Sequence, residues 1–362
     1  MSGPKPRPGI LQAPAYVGGA SKAEGANRSI KLSSNECALG CSEKAVEAYK
    51  SLSADLHRYP DGGSTELRQA LAGRHNLEMD RIVCGDGSDE VLYMLTRAYA
   101  GEGEEVLFHQ HGFVVYRLAS LGAGATPTTA PEVDCRADVD AMLAAVTDKT
   151  RIVFLTNPGA VGTYVPEEDV RRLHAGLRDD ILLVIDEAYA EYVTAEDYKS
   201  SIDLARENDN IVITRTFSKA YGLAAVRLGW CYAPATIADV LNRLRGPFNV
   251  TAPAQAAGIA ALADQDFVDR VVAHNEEWRP WLETSLRDQG YGVVSSVTNF
   301  ILVKFDDEDE ANAAIKHLEK HGLLVRDMRA YGLGDHLRIT VGLGDECRAV
   351  DEALGSFRSN NG

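Results

Sequence analysis

Several features are missing from this 362-residue sequence, and each absence removes a class of function. No stretch approaches eighteen consecutive apolar residues, so the sequence predicts no membrane-spanning helix. Residues 1–16 are rich in proline and have no continuous apolar core, so we expect no signal peptide. Basic residues are scarce: 37 Lys and Arg stand against 53 Asp and Glu, giving a net charge of −16. That charge argues against a nucleic-acid surface or an anionic lipid partner.

The cysteines also lack the spacing of a metal site. The six cysteines include no Cys-x-x-Cys pair, and no second pair of ligands accompanies Cys37 and Cys41. His109 and His111 alternate in the strand-like run HQHGFVVY, and we interpret them as incidental rather than as a metal pair. The sequence therefore predicts no metal, and with neither a signal peptide nor a membrane span predicted, the reducing cytoplasm is the default expectation.

Apolar runs alternate with helical segments over most of the chain. The runs at 105–109, 151–156, 181–186 and 211–218 predict parallel strands joined by helices and covered on both faces. The last 70 residues, which include apolar runs at 300–305, 323–328 and 337–342, predict a smaller α+β domain. We expect an α/β fold in three parts: an extended arm (1–30), a large domain (31–264) whose first residues pack with the small domain, and a small domain (265–362).

Polar side chains follow three of these predicted strands, where ligands of open α/β sheets bind. Asp186 ends an apolar run, and a buried acid needs a cation or a donor, such as a protonated pyridine nitrogen or the start of a helix that it caps. Lys219 lies among aromatic and aliphatic neighbours, where desolvation favours the free amine that forms a Schiff base. A solvated surface lysine is the alternative. Tyr189 and Asn157 could both donate to a phenolate oxygen, although an Asn-Pro turn would also explain Asn157.

Donors for a phosphate group are present as well. Gly87, Ser88 and Asp89 lie in a predicted loop before a helical run at 90–100, and helix N-termini bind anions. Further hydroxyls and a positive charge could come from Thr216, Ser218 and Arg227. Phe113 could stack on a flat ring, or could simply belong to the core.

Eight segments together resemble a known family. They are SSNECALG (33–40), YPDGGSTELRQALA (59–72), GDGSDE (85–90), DEAYAEY (186–192), RTFSKAYGLAAVRLGW (215–230), GPFNV (246–250), VRDM (325–328) and LRITVG (337–342). In this order they resemble the fold type I aminotransferases that use pyridoxal 5′-phosphate, and within them the histidinol-phosphate aminotransferase family. The resemblance covers nearly the whole chain and implies a large domain with a mostly parallel sheet and a small α+β domain.

The resemblance implies a role for each cofactor residue. Lys219 matches the lysine that bonds the cofactor and moves the proton at the substrate's α carbon. Asp186 matches the partner of the pyridine nitrogen, Asn157 and Tyr189 match donors to the O3′ oxygen, and Phe113 matches the aromatic that stacks on the ring. The phosphate ligands are implied to be Ser88, Thr216, Ser218 and Arg227, in addition to the backbone amides of Gly87, Ser88 and Asp89 at the helix N-terminus.

The resemblance also implies residues for the substrate and for a second subunit. Arg338 and Arg326 match the pair that holds the substrate's anionic group, and an arginine inside an apolar strand independently calls for an anion. A surface ion pair is the alternative for Arg326. Tyr16 and Asn35 are also assigned to the substrate side. Tyr59 matches a residue that reaches the neighbouring subunit's cofactor phosphate, which implies a homodimer.

Three segments depart from the family's pattern. The loop Asn157–Gly162 is one residue short and lacks the second Asn-Pro pair and the Thr, which puts the shape of the substrate pocket in doubt. The segment Asn35–Gly40 lacks the later Asn and Pro near the substrate entrance. Ala225 replaces a Gly behind the phosphate arginine, which is a small steric change. None of these departures removes a catalytic group.

The sequence therefore predicts a homodimeric, cytoplasmic aminotransferase of histidine biosynthesis. We expect it to convert histidinol phosphate and 2-oxoglutarate to imidazole-acetol phosphate and glutamate, with no nucleic-acid or membrane partner. The first alternative is an aromatic amino acid aminotransferase, which the altered Asn157–Gly162 loop makes plausible. A second alternative is a decarboxylase of amino acid phosphates with the same fold. A binding module that retains the cofactor is a third, and the presence of Lys219, Asp186 and Tyr189 argues against it.

Overall fold

Helices alternate with strands along most of the chain. The computed structural model describes residues 3–7, 9–13, 15, 18 and 29–361, with side chains as far as Ser359. The helices are α1 (Glu43–Ser51), α2 (Thr65–His75), α3 (Gly87–Tyr99), α4 (Val114–Ala123), α5 (Val139–Ala144), α6 (Glu167–Gly176), α7 (Ile202–Glu207), α8 (Ala235–Leu244), α9 (Ala252–Ala263), α10 (Gln265–Asp288), α11 (Glu308–Lys320) and α12 (Gly344–Asn361). Among the residues described, no helix has both the length and the apolar character needed to span a bilayer.

The strands form one large sheet, one smaller sheet and two short pairs. The strands are β1 (Ile30–Lys31), β2 (Ile82–Gly85), β3 (Glu105–His109), β4 (Thr126–Ala130), β5 (Glu132–Val133), β6 (Arg136–Ala137), β7 (Thr150–Thr156), β8 (Leu182–Asp186), β9 (Ile211–Thr216), β10 (Gly229–Tyr232), β11 (Gly292–Val294), β12 (Phe300–Lys304), β13 (Leu323–Leu324), β14 (Arg326–Asp327) and β15 (His336–Thr340).

The large sheet has the strand order β2-β10-β9-β8-β7-β3-β4. All of its neighbouring strands are parallel except β10, which is antiparallel to both β9 and β2. Residues 217–228, which join β9 to β10, contain a 3-10 turn but no α-helix, whereas a parallel neighbour is usually reached through a crossover helix. The result confirms the predicted α/β fold with a mostly parallel sheet, and it adds β2, β4 and β10, which were not predicted from the sequence.

Both faces of this sheet are buried, as its continuous apolar runs predict. Along β7, Val153 and Leu155 belong to one hydrophobic core, while Ile152 and Phe154 belong to the core on the opposite face. The helices that cover these faces leave one edge open, at the carboxyl ends of β7, β8 and β9. That edge is where polar side chains can meet.

The smaller sheet has the order β11-β12-β15-β14, with every neighbouring pair antiparallel. It has its own hydrophobic core, to which α10, α11 and α12 contribute. Strand β1 pairs in parallel with β13 in this part of the molecule, so the chain segment at Ile30–Lys31 joins the C-terminal lobe. The lobe faces the open edge of the large sheet.

Three local predictions were wrong. Gly87–Asp89 is the first turn of α3 rather than a loop before it, because the positive φ of Gly87 (74°) turns the chain directly from β2 into the helix. The strand-like run beyond His109 is a turn followed by α4, which begins at Val114. The strand predicted at 323–328 is two short strands, because β13 pairs with β1 while β14 pairs with β15.

Candidate functional site

A cavity of about 250 Å³ lies between the open edge of the large sheet and the smaller sheet. Most of the residues predicted from the sequence line it. They are Asn35, Ser88, Asp89, Phe113, Asp186, Tyr189, Thr216, Ser218, Lys219, Arg227, Arg326 and Arg338. The fold thus brings together side chains that are up to about 300 positions apart, as expected for strands whose carboxyl ends share one edge.

Asp186 forms the floor of this cavity. It is the last residue of β8 and only 2% exposed. Its Oδ2 accepts a hydrogen bond from the Tyr116 hydroxyl at 2.9 Å, and its Oδ1 accepts one from Thr214 Oγ1 at 3.0 Å. Burial raises the pKa of Asp186 to about 6, although the two hydrogen bonds act against burial. A buried carboxylate of this kind is stabilised by a cationic partner, and Asp186 lines a cavity that could hold one.

Lys219 lies beyond the end of β9 and is half-buried. Its Nζ donates to the Ser34 carbonyl oxygen at 3.2 Å and lies 5.5 Å from the centre of the Tyr189 ring. The Tyr189 hydroxyl accepts a hydrogen bond from Asn35 Nδ2 at 2.8 Å. Asn35 is buried in a left-handed conformation (φ 56°), and the Thr340 hydroxyl accepts a hydrogen bond from its backbone NH. Amine, phenol and amide therefore form one contiguous group of donors beside Asp186.

The N-terminus of α3 forms one end of the cavity. Backbones approach closely here: a Cβ on Gly87 would lie 2.4 Å from Arg227 Nη2, and a Cβ on Gly229 would lie 2.2 Å from the Ser88 backbone nitrogen. Thr216 Oγ1 and Ser218 Oγ are 3.0 Å apart and line the same end. A helix N-terminus, two or three hydroxyls and an arginine are the donor set that a phosphate requires.

Two arginines from the smaller sheet form the opposite end. Arg338 on β15 and Arg326 on β14 are direct cross-strand neighbours, and both line the cavity. Arg338 is 7% exposed; its Nη1 donates to the Ala160 carbonyl oxygen at 3.2 Å, while its Nε is buried without a hydrogen-bond partner among the described residues. Like charges opposite each other destabilise a sheet, so an anion bound in the cavity beside the two arginines would stabilise the pair.

Three predicted residues within the described part of the chain do not line the cavity, namely Gly87, Asn157 and Tyr59. The Asn157 side chain bonds the backbone of Val165 in both directions at 2.9 Å, which fixes the loop after β7 and leaves one Nδ2 hydrogen. Tyr59 is 83% exposed and stacks on Phe248, with ring centres 4.5 Å apart. Tyr16 lies outside the described residues.

The shortened loop is compact and contacts the smaller sheet's lobe. It begins with a cis Asn157–Pro158 bond, and Ala160 and Val161 pack with Tyr331 in one hydrophobic cluster. The Gly162 carbonyl oxygen accepts a hydrogen bond from the Val297 backbone nitrogen at 2.9 Å. Of the other departures, Ala225 is exposed in a short 3-10 turn, and Asn35–Gly40 retains the buried Asn35.

Several residues of the site escaped sequence analysis. Tyr116 and Thr214 hold Asp186, and Tyr331 lines the cavity beside the arginines. Tyr116 lies three positions after Phe113, on the first turn of α4, so a helix recognised there would have placed both side chains on one face. Tyr331 comes from a short turn between β14 and β15, where nothing in the sequence indicates its direction.

A buried ion pair network explains why two of the recognised motifs occur together. Arg215, on β9, pairs with Glu187 at 3.0 Å and with Glu191 at 2.8 Å, and all three side chains are largely buried. The network links DEAYAEY to RTFSKAYGL beneath the cavity and so fixes Asp186 relative to Lys219. The sequence did contain a signal for this network, because the two motifs carry charges of opposite sign, Glu187 and Glu191 in one and Arg215 in the other.

The donor sets match the parts of pyridoxal 5′-phosphate one by one. The α3 end offers donors for a phosphate, the buried Asp186 offers an anion for a protonated ring nitrogen, and Phe113 offers a face for an aromatic ring. Lys219 lies between them, where an aldehyde could bond its amine. The residues present therefore fit this cofactor.

Comparison with known proteins agrees with this geometry. The sequence profile of the family described as aminotransferase class I and II matches residues 27–355. The chain is 54% identical over 360 residues to a histidinol-phosphate aminotransferase of Paramagnetospirillum magneticum, with 99% of each chain covered, and 52% identical to one of Rhodospirillum centenum with the same coverage.

A solved structure is similar over the full length. It is that of histidinol-phosphate aminotransferase from Sinorhizobium meliloti in complex with pyridoxal-5′-phosphate, with a TM-score of 0.90, 28% identity and 100% of both chains covered. These findings confirm the resemblance predicted from the motifs. The chain belongs to the class I and II aminotransferases and, within them, to the histidinol-phosphate aminotransferase family.

Proposed function

We propose that this enzyme transfers the amino group of histidinol phosphate to 2-oxoglutarate, giving imidazole-acetol phosphate and glutamate in histidine biosynthesis. The observation that carries the proposal is the pair Arg326 and Arg338, which face a cavity whose other walls hold Lys219 and Asp186. The chain is an aminotransferase dependent on pyridoxal phosphate, as predicted. Because the candidate substrates differ in their anionic group, the two arginines that would hold this group determine which substrate the enzyme accepts.

The residues of the large sheet would hold the cofactor. Bound pyridoxal phosphate supplies an electron sink for charge that develops at the substrate's α carbon. Asp186 would keep the ring nitrogen protonated, and Phe113 would cover one face of the ring. Tyr189 and the remaining Nδ2 hydrogen of Asn157 would donate to the ring's phenolate oxygen. The phosphate would be held by the backbone NH groups of Gly87, Ser88 and Asp89, by the hydroxyls of Ser88, Thr216 and Ser218, and by Arg227.

Lys219 would act as the acid and base of the reaction. Its Nζ is held at the cavity by the Ser34 carbonyl and the Tyr189 ring. As a free amine, Lys219 would take the proton from the substrate's α carbon and hold it until it is returned. A positioned base of this kind accelerates proton transfer by roughly 10²- to 10⁴-fold.

The arginine pair would accept both substrates in turn. Arg338 presents a buried Nε with no other partner among the described residues, so a phosphate or carboxylate oxygen would complete its hydrogen bonding. The amino donor brings a phosphate, and 2-oxoglutarate brings a distal carboxylate. Asn35, beside Tyr189, would contact the part of the substrate next to the ring.

The half-reaction without a keto acid tests the amino donor. Purified enzyme loaded with pyridoxal phosphate is mixed with histidinol phosphate, and the visible spectrum is recorded. We expect the band near roughly 400–430 nm to fall and the band of the amine form of the cofactor to rise. If the band is unmoved by histidinol phosphate but shifts with phenylalanine or tyrosine, the enzyme is an aromatic aminotransferase. Release of carbon dioxide from an amino acid phosphate would instead identify a decarboxylase.

We also propose a cytoplasmic homodimer built from an arm (1–30), a large domain (31–264) and a small domain (265–362). Tyr59 and Phe248 form an exposed aromatic pair, which is the kind of surface that a second subunit covers. Six free thiols are typical of a reducing compartment. Sedimentation at micromolar concentration tests the dimer, and a purely monomeric enzyme would contradict it.

A further inference from the structure

The floor of the cavity is connected to a buried polar network that the proposed reaction does not use. Tyr116 is fully buried, and its hydroxyl contacts both Asp186 Oδ2, at 2.9 Å, and Thr156 Oγ1, at 2.8 Å. Because the carboxylate can only accept, Tyr116 donates to Asp186 and Thr156 donates to Tyr116. Such a chain of hydroxyls strengthens the final hydrogen bond, since each donor polarises the next.

Three neighbouring aromatic rings fix the position of the Tyr116 ring. It stacks on Phe154 with centres 4.3 Å apart and an interplanar angle of 1°, and it meets Phe108 and Phe113 at 5.8 and 6.0 Å. Three aromatic neighbours leave the ring no freedom to swing its hydroxyl away from Asp186. The same packing joins Tyr116 to Phe113, the residue proposed to cover the cofactor ring.

Thr156 is itself held by a buried histidine. The Thr156 backbone NH donates to His109 Nε2 at 3.3 Å, which leaves the His109 proton on Nδ1, where it donates to Glu132 at 2.6 Å. Glu132 also accepts hydrogen bonds from the backbone and the Nδ1 of His111, at 2.9 and 2.7 Å. Burial acts to raise the pKa of Glu132, but the hydrogen bonds from the two histidines outweigh it and lower the pKa to about 2. His109 and His111 are therefore structural parts of this network.

We propose that Tyr116 is a positioning residue that keeps Asp186 ionised toward the cofactor's ring nitrogen, and that Glu132 and His109 orient the Tyr116 hydroxyl through Thr156. This inference rests on the proposed function for its purpose, but the hydrogen-bond chain belongs to the protein alone. Carboxylates at Asp89 and Glu187 oppose ionisation of Asp186, and Thr214 supports it from the other oxygen. The hydrogen bond from Tyr116 therefore lowers the pKa of Asp186 and offsets part of the rise that burial and these two neighbours cause.

The test uses Tyr116→Phe, which preserves the ring and its packing and removes one hydroxyl. In the full chain freed of cofactor, the infrared carboxyl band of Asp186 is followed against pH, with Asp186→Asn as the subtraction reference. Losing a hydrogen bond to a charged group should make Asp186 roughly a tenfold weaker acid, so its titration midpoint moves to higher pH. Thr214→Val should move the midpoint in the same direction. An unchanged midpoint in Tyr116→Phe overturns the proposal, whether or not the protein binds a cofactor.

The loaded enzyme gives a second readout, using pyridoxal phosphate labelled with ¹⁵N in the ring. A more basic Asp186 draws the shared proton, so the ring-nitrogen resonance of Tyr116→Phe should move toward that of neutral pyridine. The dissociation constant of pyridoxal phosphate should rise roughly tenfold. A matched control is Tyr291→Phe, because the Tyr291 hydroxyl is buried and bonds the Leu354 carbonyl oxygen at 2.9 Å in the other lobe. If the control moves the resonance as far, the effect is general loosening and the proposal fails.

The distant part of the network is tested with Glu132→Gln. A glutamine amide can donate to His109 Nδ1, which moves the histidine proton to Nε2 and breaks the bond from the Thr156 NH. We expect the Asp186 midpoint to move upward in this variant, and to move no further when Glu132→Gln is added to Tyr116→Phe. Should Glu132→Gln not fold, His109→Asn keeps a donor to Glu132 and removes only the acceptor for Thr156. A midpoint that stays at the wild-type value in the folded variant overturns the role of Glu132 and His109.

If the wild-type enzyme takes up no pyridoxal phosphate, the proposed function fails while the infrared result still decides the network. If it takes up the cofactor normally and Tyr116→Phe titrates like wild type, the network fails while the proposed function stands. The two failures are therefore distinguishable.

Discussion

The two ends of the cavity are built in different ways. The proposed cofactor half, formed by the carboxyl ends of β7, β8 and β9 and the start of α3, comes from neighbouring strands with cores on both faces. The proposed substrate half, formed by Arg326, Arg338, Tyr331 and the loop Asn157–Gly162, comes from separate short segments of the other lobe and one loop.

Hydrogen bonding differs in the same way. In the cofactor half, both oxygens of Asp186 and the amine of Lys219 have partners within 3.2 Å. In the substrate half, Arg338 keeps a buried Nε without a partner among the described residues. A group that serves every turnover is held in place by the protein, whereas a group that must release its ligand leaves part of its hydrogen bonding to that ligand.

The largest effect should come from the cofactor half. Lys219→Ala removes the proposed acid and base together with the amine that bonds the cofactor, so transamination should fall by roughly 10²- to 10⁴-fold or more. Steady-state turnover with histidinol phosphate and 2-oxoglutarate measures it. Lys199→Ala is a matched control, because Lys199 is 68% exposed and pairs only with Glu167 among the interactions described. Turnover at the wild-type level in Lys219→Ala would show that Lys219 is not the catalytic lysine.

The ionised Asp186 should lower the folding stability of the cofactor-free protein while it serves cofactor binding. In the cofactor-free protein its pKa is about 6, above its value of about 3.8 in an unfolded chain, so the folded state binds more protons between these values and loses stability as pH rises through 6. Asp186→Asn removes this titration, so the cofactor-free variant should gain stability relative to the wild type as pH rises from 4 to 8, and its stability should depend less on pH.

Urea unfolding of both cofactor-free proteins between pH 4 and pH 8 measures the difference. Curves that remain parallel across this range would contradict the assignment of the raised pKa to Asp186. The variant should lose affinity for pyridoxal phosphate, so the cofactor should stabilise it less than it stabilises the wild type.

The residues proposed for the cofactor half could be picked out of the sequence because they follow long buried strands, and the fold places most of them in one cavity. Asp186 and Lys219 could be located by reading what comes after an apolar run, and the shared edge of a parallel sheet then brings them together. Tyr116 could not be found in this way, because HQHGFVVY has the alternation of a strand and the helix that begins at Val114 is decided by tertiary packing.

In the proposed substrate half, Arg338 had independent support as an arginine inside an apolar strand, whereas Arg326 was predictable only through the family resemblance. Strands β13 and β14 have two residues each, too short for a periodic pattern, so Arg326 could equally have been a surface residue. That Arg326 faces Arg338 depends on the antiparallel register of β14 and β15. The register depends on the turn between them, and no local pattern records it.

The two arginines should contribute unequally to substrate binding. Arg338→Gln should raise the KM for histidinol phosphate by roughly 10- to 100-fold, because a buried charge-assisted hydrogen bond to the phosphate is lost. Arg326→Gln should have a smaller effect, since Arg326 is half-buried on a two-residue strand. The dissociation constant of pyridoxal phosphate, from absorbance titration, should stay unchanged in both variants. A weakened cofactor affinity would mean that the two halves are not independent.

The smallest effect should come from the loop that joins the halves. Gly162 has a φ of 99°, and a Cβ there would lie 2.6 Å from Ser296 Oγ, so Gly162→Ala should push the loop away from the other lobe. The strain costs about 1–3 kcal/mol, and Arg338 loses its fixed contact with the Ala160 carbonyl as the loop moves. We expect a several-fold rise in KM with the cofactor's spectrum unchanged. Gly103→Ala is the matched control, because Gly103 has a φ of 85° but nothing lies within 4 Å of its added Cβ. It should lose comparable stability to backbone strain and keep its KM, and an equal rise in KM in both variants would show that the loop's contact with the other lobe does not shape the substrate half.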